Sequence, residues 1–255
     1  MTEQRKAQGL VGVSFEPGPD FGEDDLTGEM HQRFQKWTVS GRLKVDWCYD
    51  NARQVATALY KATDSQAPTL LALYDDVVTR ILSEPKEYDT ANGSAPGSET
   101  LTGNNLNLSA LSRRTYTLLS TIVDPETRAE DLPGKYLLSA SFEITPENED
   151  DFNKWYDEEH MALVARIPGW KRGRRYKLVG HKQLEGGSLV EQPVPAEYLA
   201  LHELGNGDFA HSAEIRHARS TEWAQRVIGA ARRREVRAFR LHRVLMNLQE
   251  REGEA

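Results

Sequence analysis

His160 is the side chain in this sequence best suited to moving protons. An imidazole titrating near pH ~6.5 both takes and gives a proton at neutral pH. At a pocket wall it would deprotonate a phenol, an enol or a carbon acid, or protonate the carbanion left by loss of carbon dioxide. Its surroundings, from Asp151 to Val179, supply partners for such chemistry. Tyr156 lies four residues earlier, one helical turn away, with a hydroxyl directed at the same region. Trp155 offers a flat wall for a planar ring, and Glu159 a carboxylate that could turn inward to orient the imidazole. Downstream, Arg174 and Tyr176 share one face of a strand and Arg175 takes the other; if the Arg174 face is the barrel interior, its guanidinium would bind a carboxylate or enolate oxygen. Trp170, Tyr198 and His202 complete the expected substrate-binding set, and Arg240 and His242 share a further strand face. The catalytic expectation is therefore His160, Arg174 and Tyr156.

Each of these residues also has a structural reading. A histidine on a mixed apolar face also serves as a hydrogen-bonded core residue, and helix aromatics such as Trp155 more often pack than bind. Asp157, Glu158 and Glu159 read as a solvated acidic edge, and Arg174 fits an ordinary ion pair with that edge. Other chemistries find less support. The seven histidines show no HxH or HExxH spacing, so no metal is expected. No GxSxG elbow surrounds Ser139 or Ser141, and Gly186-Gly187 lies in a loop rather than a phosphate cradle.

The elements that must position these groups follow from periodicity. Residues 151–166 repeat apolar positions at spacings of three and four, which gives an amphipathic helix opened by Thr145-Pro146-Glu147 and broken at Pro168-Gly169. Strands are expected at 10–16, 55–62, 69–74, 114–123, 135–144, 170–179, 196–204 and 235–245. Helical patterns are expected over 23–37 and 43–47, from 77 to 82, over 208–218 and over 221–231. Residues 92–108 read as a flexible Gly/Ser/Asn loop, and 124–134 as a connector. Each half then reads β-α-β-β-α-β, the ferredoxin-like order. Short matches recur in the same order: VSFE at Val13–Glu16 with ASFE at Ala140–Glu143, and LALYD at Leu71–Asp75 with LALHE at Leu199–Glu203. The fold class is α+β: a degenerate first repeat at 8–124 and a second repeat at 135–247, closing one barrel around a central cavity.

Composition bounds the setting. With 255 residues, 38% hydrophobic and a formal charge of -7, the chain can build a sizeable core and shows no basic stripe for nucleic acid. No apolar run reaches the ~20 residues of a membrane span. The opening MTEQRKAQGL lacks a signal-peptide core, and the lone Cys48 excludes an intrachain disulfide, so a cytoplasmic setting is expected.

At WYDEEH, IPGW and RRY the second half resembles the dimeric α+β-barrel superfamily, and within it the tandem EthD-like proteins of fungi. The first half matches at Thr63–Asp75, but it lacks the Pro-Gly break and carries Arg53 where a histidine is expected. The resemblance implies a small-molecule role with no redox cofactor. Decarboxylases, cyclases, isomerases and cofactor-free oxygenases occur among the relatives, often in secondary metabolism. The leading expectation is a cofactor-independent lyase, cyclase or isomerase acting on an aromatic or polyketide-like molecule, as a monomer or homodimer. The competing one is a non-catalytic protein of the same fold that binds a hydrophobic ligand or a partner. Haem binding is a third, to be judged by an absorption band near ~400 nm.

Overall fold

The computed structural model describes residues 8–17, 57–78, 108–185, 188–189 and 194–245. Among them run nine strands: β1 (Gln8–Pro17), β2 (Thr57–Ala62), β3 (Leu70–Val78), β4 (Leu108–Val123), β5 (Tyr136–Glu143), β6 (Trp170–Glu185), β7 (Ser188–Leu189), β8 (Tyr198–Leu204) and β9 (Arg233–Leu245). Helix α1 spans 149–164, α2 is Ala213–Ser220 and α3 is Glu222–Ala230. The helical patterns expected over 23–47 and most of the expected loop lie outside the described residues.

Strands β4 and β6 run longer than expected, starting at Leu108 and ending at Glu185, and two expected helices change, each for a local reason. Val77 and Val78 do not open a helix. They pair with Gly9 and Gln8 at the end of β3, as β-branched residues favour. The single helix expected over 208–218 divides into a short turn, Asp208–His211, and α2. Ser212 forces the division, because it is extended and its hydroxyl accepts the Ile215 N–H at 3.1 Å, capping a new helix. Thr221 repeats the device, ending α2 and capping α3 at Ala224.

The strands follow the order β4-β1-β3-β2 in the first half and β9-β5-β8-β6 in the second, all antiparallel. Each half is thus a ferredoxin-like sheet with the same order. Pairing of β2 with β9 and of β4 with β6 joins the halves into a closed barrel of eight strands. The internal matches fall on equivalent places. Gly12 of β1 pairs with Arg114, and its counterpart Ser139 of β5 pairs with Arg237.

Inside the barrel Leu10, Tyr60, Leu73, Tyr116, Leu137, Tyr176, Leu199, Leu201 and Phe239 meet in one buried cluster. Their side chains come from both halves and line the space that eight strands enclose. The polar residues near this core are tied down. Arg237 bonds Asp64 at 2.6 and 3.0 Å and the carbonyls of Gln66, Ala67 and Pro68. Glu203 takes Arg172 at 2.5 Å, Arg174 at 3.4 Å and the Gly134 N–H at 3.2 Å. Helices α1, α2 and α3 cover the outer face of β5 and β8 through two further apolar clusters. No helix among the described residues is long and apolar enough to cross a membrane.

Candidate active site

The second-half sheet has two buried faces, and alternation decides which chemistry each receives. In β8 every residue is buried. Leu199 and Leu201 point into the barrel, whereas Tyr198, Ala200 and Leu204 meet the helices. His202 belongs to the helix side, where the Trp170 indole donates to its Nδ1 at 3.3 Å. In β6, Tyr176 enters the barrel core and Arg175 takes the helix side.

The amphipathic helix delivers the other partners. A turn at Pro146–Asn148 leads into α1, whose first turn holds Glu149, Asp150 and Asp151 where the positive helix end favours acids. Phe152 and Trp155 bury inward. From Tyr156 to His160 the helix widens into a π-turn, closed by the Met161 N–H on the Tyr156 carbonyl. Bonding from i to i+5 brings residues five apart onto one face. His160 accordingly stacks on Trp155, with ring centres 4.1 Å apart and planes at 28°. Tyr156 meets the imidazole edge-on at 5.1 Å. The helix then ends at Pro168-Gly169. Gly169 has φ +80, and a Cβ there would lie 2.6 Å from Asn206 Nδ2.

Hydrogen bonding fixes both imidazole tautomers. The Ala218 carbonyl can only accept, so His160 Nδ1, at 3.2 Å, carries the proton and Nε2 keeps its lone pair. The Trp170 indole can only donate, so His202 Nδ1 accepts and its proton sits on Nε2. Burial disfavours the charged forms. It takes His160 down to about 4, helped by the Arg175 and Arg219 charges and opposed by the bond to Ala218. Burial takes His202 down to about 3, with His160 acting in the same direction. Both rings are neutral at pH 7. Burial also pushes the Tyr156 phenol up, against the pull of Arg175.

Two donors in this layer find no partner among the described residues. Trp155 Nε1 and Tyr156 Oη are buried and make no hydrogen bond there. Buried polar groups are rarely left so, and they mark places where a further group belongs. Over the Tyr156 ring, at 4.3 Å, lies the Arg175 guanidinium, held by Asp157 at 2.6 Å and Asn153 at 2.7 Å.

The expected residues therefore divide. Trp155, Tyr156, His160, Trp170 and His202 share the helix-covered layer. Tyr198 lies along it, against Phe152 at 4.9 Å, with its hydroxyl donating to Glu149. Glu159 does not orient the imidazole. It accepts the Thr221 hydroxyl at 2.6 Å and locks α1 to the start of α3. Arg174 and Tyr176 face the barrel across the sheet from His160, Arg174 beside Glu203 and Tyr176 beside Tyr116. Arg174 therefore does not share a pocket with His160. Arg175 takes that place, as the alternation of β6 already allowed. Gly173 and the Ala218 carbonyl were not singled out. A Cβ at Gly173 would lie 2.7 Å from Met161, 2.9 Å from Trp170 and 3.1 Å from His202 Nδ1. Among the described residues no three histidine, cysteine or carboxylate side chains gather as a metal site.

No family model matches the sequence, and no curated protein matches it. Among solved structures, an anthrone oxidase-like protein superposes with a TM-score of 0.56 over 96% of this chain and 95% of that one, at 13% identity. A candidate monooxygenase from Lactobacillus acidophilus NCFM gives 0.48 over 93% and 95%, at 9% identity. At these identities the likeness is one of fold. The chain has two ferredoxin-like sheets closed into one α+β barrel within a single polypeptide, the fold it shares with the anthrone oxidase-like protein.

Proposed function

We propose that this protein is a small-molecule enzyme of the EthD-like branch, using His160 as a general base without a redox cofactor. One observation carries the reading: a neutral imidazole with a fixed tautomer lies in contact with two buried side chains whose donors find no partner among the described residues. His160 Nε2 takes a proton from a carbon acid, enol or phenol. Trp155 Nε1–H and the Tyr156 hydroxyl stabilise the oxyanion that develops. Return of the proton from His160 to another carbon gives isomerisation. Attack of the carbanion on a second carbonyl, with that proton passed to the new alkoxide, gives cyclisation. When the ionised substrate loses carbon dioxide, the same proton goes to the carbanion left behind, which completes decarboxylation. The aromatic layer suits an aromatic or polyketide-like substrate, and an anthrone, named for the fold relative, is an aromatic ketone with an acidic C–H. Such an anion also reacts with dioxygen, so oxygen uptake belongs among the assays.

The test is turnover of aromatic β-keto acids and anthrone-type ketones by wild type, His160→Gln and Tyr156→Phe. His160→Gln lowers kcat by about 100-fold or more, and Tyr156→Phe by about tenfold. Wild-type kcat/KM is level at neutral pH and falls as pH drops through about 4, because the base must be unprotonated. Full activity in His160→Gln overturns the assignment.

A second reading, a non-catalytic ligand-binding or interaction protein, draws on the tight packing of the layer. Trp155 is 0% and Tyr156 1% exposed. It predicts saturable binding of aromatic ligands with no turnover in any variant.

A further inference from the structure

The arginines around α2 and α3 are of two kinds. Arg226 meets Asp151 at 3.0 Å and Arg233 meets Glu143 at 3.1 Å, so both are neutralised. Arg216 and Arg219 of α2 and Arg234 of β9 meet no carboxylate among the described residues. Arg216 gives one N–H to the His211 carbonyl. All three nevertheless line a single concavity of about 510 Å³, together with Gln225, Ile228 and Gly229 of α3. These arginines are exposed, whereas Ala218, next to Arg219 in sequence, turns inward to His160. The groove thus opens on the outer side of α2, away from the imidazole cluster, although the Arg219 charge is felt at His160.

Three like charges in one hollow repel, and this chain carries a formal charge of -7, with acids enough to have paired them. An anion relieves the repulsion. A single carboxylate is met by one guanidinium fork, whereas three guanidiniums match the charge and the many acceptor oxygens of linked phosphoryl groups. The hollow is of small-ligand size, and Ile228 and Gly229 leave an apolar stretch for an organic body; a Cβ at Gly229 would meet nothing within 4 Å.

We propose that the α2–α3–β9 groove binds an organic diphosphate, with Arg216, Arg219 and Arg234 holding its phosphoryl groups. The proposal does not rest on the chemistry assigned to His160. Titration calorimetry with adenosine diphosphate, inorganic pyrophosphate and adenosine monophosphate tests it on the full chain. Adenosine diphosphate binds saturably and more tightly than the monophosphate, and affinity falls as salt rises. Arg219→Ala/Arg234→Ala weakens binding by about tenfold or more, whereas Arg226→Ala, outside the groove, leaves it unchanged. Should the alanine pair unfold, Arg219→Lys/Arg234→Lys keeps the charge, loses the fork and still weakens diphosphate binding. Pyrophosphate binding alone, with no gain from the nucleoside, overturns the organic-ligand assignment. Absence of binding by wild type, or equal weakening by Arg226→Ala, overturns the site.

Discussion

A buried histidine records its surroundings in how hard it is to protonate. His160 and His202 have folded-state values near 4 and 3, both below the ~6.5 of an unfolded chain. The unfolded state therefore takes up protons first as pH falls. Stability from these rings is fully present above about 6.5 and is lost on acidification toward about 4 for His160 and about 3 for His202. In that window each ring costs about 1.4 kcal/mol per pH unit. Urea denaturation at pH 7.5, 6.5, 5.5 and 4.5 shows a plateau and then a decline. In a foldable His202→Asn variant the decline is shallower by the share of one ring, and an unchanged slope would remove His202 from the account. From the sequence these side chains were legible as titratable and as lying among aromatics. Their hydrogen-bond partners were not, since the Ala218 carbonyl that fixes His160 belongs to a helix 58 residues away.

At the scale of elements, the π-turn and one glycine decide how the layer fits. A period of 3.6 places Tyr156 beneath His160, but the wider winding sets Trp155 there, because nothing in residue types announces a change from i+4 to i+5 bonding. The strands were legible because alternation and β-branched runs are strong signals, as in Lys135–Ile144 and β5. The inward face of a strand was not, because both faces of β8 and of residues 173–176 in β6 are buried and apolar character no longer separates them. The Arg174 face is the barrel interior, as supposed, but His160 lies on the other side of the sheet, where Arg175 meets Tyr156. Gly173 lies between Arg172 and Arg174 on β6, where α1 and Trp170 approach most closely. Gly173→Ala should therefore destabilise the fold by about 1–3 kcal/mol and shift Trp170 fluorescence. An alanine variant as stable as wild type would show that Met161 yields without cost.

At the scale of the molecule, the two repeats share one interior. Tyr60 of the first donates its hydroxyl to the Gly134 carbonyl at 3.1 Å, and Thr63 bonds the Ala238 carbonyl at 3.1 Å. Leu10, Leu73 and Tyr116 of the first share one buried cluster with Leu137, Leu201 and Phe239 of the second. Calorimetry should thus show one unfolding transition for the whole chain, and either half expressed alone, cut within 124–134, should fail to fold. Two separate transitions would mean that each sheet has a core of its own. The duplication behind this sharing was readable, since short matches in the same order fix equivalent strands, although the seams that join them are not encoded locally. Closure by β2–β9 and β4–β6 also limits how copies of this chain can meet. Each of the eight ring strands has a hydrogen-bonded neighbour on both sides, and among the described residues only the two-residue β7 lies outside the ring. The ring therefore offers a second copy almost no open edge to extend, so copies that meet at the barrel do so through side chains rather than by adding strands to it.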